Sequence, residues 1–111
     1  MARPISKGIS YFPKWSPHKS TLKKLSDDNF RNRYNALRGS SSSFIKRKDV
    51  RKLVFERDNF KCVECGSNKD LQVDHIISVY KICKYKLDYR ITNCSSNFQT
   101  LCGSCNAKKL P

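Results

Sequence analysis

Hydrophobic and polar positions alternate most clearly at residues 71–75, Leu-Gln-Val-Asp-His, where Leu71 and Val73 are separated by polar neighbours. That period of two predicts a half-buried strand. Residues 45–58, IKRKDVRKLVFERD, follow the longer helical period instead. Val50, Leu53 and Val54 fall on one stripe, and Lys46, Arg47, Arg51 and Lys52 fill the rest of the surface. A shorter helix is predicted over 26–38, SDDNFRNRYNALR. Ser26 or Asp27 can cap it, Asp28 suits its positive end, Phe30, Tyr34 and Leu37 share a face, and Gly39 stops it. A second strand is expected near 97–101, NFQTL, and a closing helix from about Gly103. Between the strands lies a connection rich in lysine and tyrosine.

The remaining segments read as irregular. Pro4, Pro13 and Pro17 argue against a regular element in residues 1–20, which are expected to form an extended arm. Residues 38–44, RGSSSSF, carry four serines after a glycine and read as a flexible joint. The chain is therefore expected to divide into a basic arm with a short helix over 1–44, a candidate DNA-binding appendage, and one folded domain over 45–111. Small domains with so little apolar sequence (38% hydrophobic) commonly depend on a metal or on disulfides.

Charge sharpens the picture. The chain has 23 Lys+Arg against 9 Asp+Glu, a formal net charge of +14. The excess is spread along it, with 9 basic and 2 acidic residues in 1–44 and 14 and 7 in 45–111. Such a balance suits a polyanion, and nucleic acid is the commonest. No apolar run exceeds Leu53-Val54-Phe55, so neither a transmembrane span nor a secretory core is predicted, and a cytoplasmic location is expected. In a reducing compartment the six cysteines are expected as thiols or metal ligands rather than disulfides.

Cysteine spacing is the most specific chemical signal. Cys62-Val-Glu-Cys65-Gly and Cys102-Gly-Ser-Cys105 are two C-x-x-C knuckles that bracket the expected hairpin. Each can offer two thiolates on a tight turn, and zinc takes four such ligands tetrahedrally while contributing folding free energy. Four thiolates leave no open position, so a zinc ion here would be structural. Cys83 and Cys94 lack partners for a second site and read as ordinary thiols. His18 lies far from any candidate partner and reads as a surface residue.

A strand between two knuckles has no folding need for the Asp74-His75 pair at its end. The ordered segments RKLVFERDNFKCVECG, VDHI and NFQTLCGSCNAKK, covering about residues 47–110, resemble the HNH endonuclease family. The resemblance implies an α+β domain of the small ββα-metal type (His-Me finger), braced by the four-cysteine zinc site of Cys62, Cys65, Cys102 and Cys105. It implies a metal-dependent DNA endonuclease that hydrolyses phosphodiester bonds. On that pattern His75 is the general base, Asp74 a ligand of catalytic Mg²⁺ or Mn²⁺, and Asn97 a residue that holds the loop or the imidazole. The third motif position falls on Asn106, which makes this an H-N-N variant with Asn106 as a neutral oxygen ligand of the same metal. Lys46, Arg47, Arg51, Lys108 and Lys109 are the expected DNA contacts. One active site cuts one strand, so double-strand cleavage would call for a homodimer. A phage or mobile-element, homing-like nuclease is the first biological expectation and a restriction endonuclease the second. Readings from other classes stay open: a zinc-stabilised nucleic-acid-binding module without catalysis, and an RNA-binding zinc protein using Tyr80, Tyr85 and Tyr89.

Overall fold

A computed structural model describes residues 12–109 of the chain. Its centre is a two-stranded antiparallel hairpin, β1 (Leu71–His75) and β2 (Phe98–Cys102). The register pairs Val73 with Thr100, Asp74 with Gln99 and His75 with Phe98. Because side chains alternate across a strand, Val73, His75 and Phe98 share one face while Gln72, Asp74 and Gln99 share the other.

Among the described residues five α-helices surround the hairpin: α1 (Lys19–Lys24), α2 (Phe30–Ile45), α3 (Lys48–Arg57), α4 (Val79–Lys84) and α5 (Gly103–Lys108). In α3, Val50 and Val54 are one turn apart, and both are buried against Val73, Phe98 and Phe44. Burying each valine contributes about 1.5–3 kcal/mol. Leu53, the third residue of the expected stripe, is only half-buried. Helix α5 begins at Gly103 as the sequence indicates, with the Cys102 sulfur accepting from the Cys105 N–H at its start. This gives the ββα order of hairpin and closing helix in a small α+β domain.

The expected helix end at Gly39 is corrected by the structure. Helix α2 runs unbroken from Phe30 to Ile45, so the serine-rich segment is helical rather than a joint, and the helix crosses the expected division at 44/45. The cause is tertiary. Arg33, Leu37, Ser41 and Phe44 form one buried stripe down α2, and Leu37 and Phe44 anchor two different core clusters. Packing of that stripe outweighs the weak propensity of glycine and serine. The start also differs: Asn29 is the cap, accepting from the Asn32 N–H at 3.2 Å, while Asp27 in turn accepts from the Asn29 N–H.

Two further helices lie where no regular element was expected. Helix α1 begins within the arm, capped by the His18 imidazole, which accepts from the Ser20 N–H. Helix α4 occupies the connection between the strands, capped by Ser78, and packs Ile82 and Cys83 against Leu37 of α2. The arm's aromatics are not free either. Phe12 packs on Phe44 and Phe98, and Trp15 touches both clusters while donating to Ser40 Oγ at 3.3 Å. Residues 1–11, with Pro4, lie outside the described part. No helix among the described residues is long and apolar enough to cross a membrane.

Candidate active site and metal centre

The two knuckles meet at the end of the hairpin where β1 starts and β2 finishes. The turn after Cys62 closes through the Gly66 N–H on the Cys62 carbonyl and the Cys62 N–H on the Ser67 carbonyl, at 2.9 and 2.7 Å. Gly66 adopts φ +79°, the left-handed region that suits glycine. The Val63 N–H bonds the Thr100 carbonyl and ties this turn to β2. The sulfurs of Cys62, Cys65, Cys102 and Cys105 all lie within 4.8 Å of one another. Ligand sulfurs about 2.3 Å from one zinc stand roughly 3.8 Å apart in a regular tetrahedron. The Cys65 and Cys102 sulfurs are 3.7 Å apart. The donor set fits such an ion.

The thiols are electrostatically unequal. Burial pushes the Cys62 thiol up, but the backbone N–H groups of Cys65, Cys102 and Glu64 outweigh it and bring the group down to about 6. Hydrogen bonds from its own thiol to the sulfurs of Cys102, Cys65 and Cys62 push Cys105 up to about 12. Zinc takes such ligands as thiolates, so a divalent ion would displace the thiol protons that remain.

Asp74 and His75 lie at the other end of the hairpin and project to opposite faces. The His75 ring packs edge-on against Phe98, its partner across the strands, with centroids 5.4 Å apart. Its Nε2 is 2.9 Å from Ser41 Oγ of α2 and 2.9 Å from Asn93 Oδ1 of the loop before β2. The Ser41 hydroxyl donates to the same Asn93 oxygen at 2.8 Å. Burial lowers the His75 pKa from its ordinary value, and Lys109 adds to that, against the Asn93 bond and the Asp74 charge. A neutral imidazole is therefore favoured.

Asp74 uses one oxygen twice. Its Oδ2 accepts from Gln99 Nε2 at 2.9 Å and from the Lys109 ammonium at 2.6 Å. Lys109 also donates to the His75 carbonyl. Asn106, expected beside Asp74, instead donates Nδ2 to Gln72 Oε1 at 2.7 Å. The Oδ1 atoms of Asp74 and Asn106 have no hydrogen-bond partner among the described residues. Both are hard oxygen donors, the ligand type that Mg²⁺ or Mn²⁺ takes.

Asn97 closes the loop that follows His75. It is 4% exposed, just before β2, and its Oδ1 accepts from the Ile77 N–H at 2.7 Å. Its Nδ2 donates to the carbonyls of Ile77 and Thr92, both at 3.1 Å. The side chain clamps the backbone on both sides of the loop and does not touch the imidazole.

The HNH endonuclease family profile matches residues 62–110, the span that holds both knuckles and the hairpin. A protein of Lactococcus phage SK1 named "Probable HNH endonuclease" is 34% identical over 82 residues, covering 69% of this chain and 85% of its own length. The chain belongs to the HNH endonuclease family. No solved structure matches it significantly.

Among the basic residues expected on DNA, this HNH endonuclease leaves Lys46 and Lys108 exposed. Arg47 pairs with Asp49 at 2.7 Å and lies over the Phe44 ring. Arg51 lies over Phe55 and reaches the Leu71 carbonyl, so much of it serves the fold. Lys109 sits inside the site. Two residues that reach His75, Ser41 and Asn93, carry no motif signal: one hides in a serine run and the other in TNCSSN, which reads as a turn. Cys83 is buried in the α2–α4 cluster and Cys94 is exposed, both outside the sulfur cluster.

Proposed function

We propose that this HNH endonuclease is a metal-dependent DNA nuclease in which His75 is the general base. The observation that carries the reading is an imidazole anchored through Nε2, with Asp74 the preceding residue of the same strand, at the end of a hairpin braced by four cysteines. His75 takes a proton from the attacking water as its oxygen bonds to phosphorus and the bond to the leaving sugar oxygen breaks. Burial keeps that ring neutral and ready to accept. Asn97 holds the loop after His75 so that the strand end does not drift.

A divalent ion, Mg²⁺ or Mn²⁺, would be held by Asp74 and Asn106 and would supply charge stabilisation at the scissile phosphate. Lys109 competes with such an ion for the Asp74 carboxylate. Zinc on Cys62, Cys65, Cys102 and Cys105 would fix the far end of the hairpin. The net charge of +14 favours association with the DNA backbone, with Lys46 and Lys108 free to contribute. One strand is cut per site, so double-strand cleavage takes two copies.

The phage relative favours a phage or mobile-element role over restriction. A map of cut positions separates these, since homing requires a long site, restriction a short one, and non-specific nicking none. The test of the mechanism is cleavage of supercoiled plasmid in Mg²⁺ by wild type and His75→Ala. Loss of the base should cost about 10²–10⁴-fold. A folded, zinc-loaded His75→Ala protein that cuts at the wild-type rate would refute it.

A further inference from the structure

The family-matched span, residues 62–110, does not contain everything that touches the histidine. Ser41, 34 positions earlier in sequence, reaches His75 Nε2 from the buried stripe of α2, and Asn93 reaches the same nitrogen from the loop before β2. Both are inaccessible, at 1% and 5% exposure. With the 2.8 Å bond between them, the three side chains form a closed triangle of polar atoms.

Proton counting decides what that triangle can do. The Asn93 amide turns its oxygen towards Ser41 and His75 and its nitrogen, buried and without a hydrogen-bond partner among the described residues, away from them, and that oxygen only accepts. The single Ser41 proton is spent on that oxygen. An unprotonated Nε2 would therefore point its lone pair at the Asn93 oxygen from 2.9 Å, which is repulsive. A protonated Nε2 donates to Asn93 and Ser41 at once. A neutral ring carries one proton, so Nδ1 is left bare.

We propose that Ser41 and Asn93 are positioning residues that fix the His75 ring in its Nε2–H form, making Nδ1 the atom that accepts the proton from water. This rests on the reading of His75 as general base. The Phe98 edge and the triangle together leave the ring little freedom to rotate. Support of this kind commonly changes activity about 10- to 100-fold. Ser41 brings α2 into the working of the site although it makes no contact with substrate in this reading.

The test combines spectroscopy with kinetics on the full chain. The only other histidine is His18, so a His18→Asn background, which retains a capping side chain, leaves one ring to observe by ¹⁵N NMR. Above neutral pH the zinc-loaded protein should show the Nε2–H form. Ser41→Ala and Asn93→Leu should populate the other tautomer and lower kcat about 10- to 100-fold, with KM little changed. Asn93→Asp retains an acceptor at the same place, so it should keep the Nε2–H form and exceed Asn93→Leu in kcat.

An Nδ1–H ring in the parent protein would overturn the proposal. So would wild-type kcat in Ser41→Ala, which replaces a helix residue by a better helix former and is expected to fold even if Asn93→Leu does not. His75→Ala separates the two levels. If it is inactive while Ser41→Ala and Asn93→Leu are fully active, only the positioning role falls; if it is active, the base assignment falls as well.

Discussion

Replacing Asn97 by alanine removes three buried hydrogen bonds in one step: Ile77 N–H to Oδ1, and Nδ2 to the Ile77 and Thr92 carbonyls. At about 1 kcal/mol net each, their loss destabilises the domain by about 3 kcal/mol. That is a large part of a typical stability of about 5–15 kcal/mol, yet the protein should remain folded. With urea m-values of about 1–3 kcal/mol/M, the midpoint should fall by roughly 1–3 M. Asn97→Asp is the stricter probe. It keeps the shape and the acceptor for the Ile77 N–H but turns the donor into an oxygen facing two carbonyls 3.1 Å away. At neutral pH it should be at least as damaging as alanine. Urea unfolding followed by circular dichroism, with zinc held in fixed excess, measures both. Exchange of the Ile77 amide hydrogen should accelerate in Asn97→Ala. A loss under about 1 kcal/mol in both variants, or an aspartate more stable than the alanine, would refute the clamp.

Elemental analysis should find about one zinc per chain, and Cys62→Ser should lose both zinc and the folded hairpin; a folded, zinc-free wild type would contradict this. The acid limb of kcat/KM should lie below the ordinary histidine value of about 6.5, because burial lowers the His75 pKa and the neutral, active base persists as pH falls. A limb above that value, measured at saturating metal, would count against it. Lys109→Met should lower the Mg²⁺ concentration that half-saturates cleavage, since it frees the Asp74 oxygen from its ammonium partner. An unchanged or higher requirement would show that the pair does not compete with the ion.

How far the sequence reaches depends on which interactions are local. Alternation in LQVDH and the two C-x-x-C spacings are local patterns, and β1, the sulfur cluster and the start of α5 follow them. The end of α2 is different. Gly39 and the serines are poor helix formers, and only burial of Ser41 and Phe44 against distant residues keeps them helical. Helix α4 has its cap, Ser78, and apolar positions at Val79, Ile82 and Cys83, so a weak local signal existed within the lysines. At the site, Asp74 and His75 were legible as a pair with no structural purpose. Asn93 was not, because a buried acceptor is defined by where the chain folds rather than by its neighbours. Lys109 reads as a phosphate contact by charge alone, and its place on Asp74 depends on how α5 packs against β1.

Phe12 packs on one core cluster and Trp15 on both, and α2 supplies a buried residue to each. The piece that evolution could move between nucleases is therefore longer than the piece that bears the motif. A recombination junction placed just before Cys62 would deliver knuckles and hairpin without the aromatic strap and helix that complete their core. In chimaeras of related HNH proteins, a crossover upstream of Phe12 should give soluble protein, while one at residue 61 should depend on how well the recipient's own helix fills the space of Leu37 and Phe44.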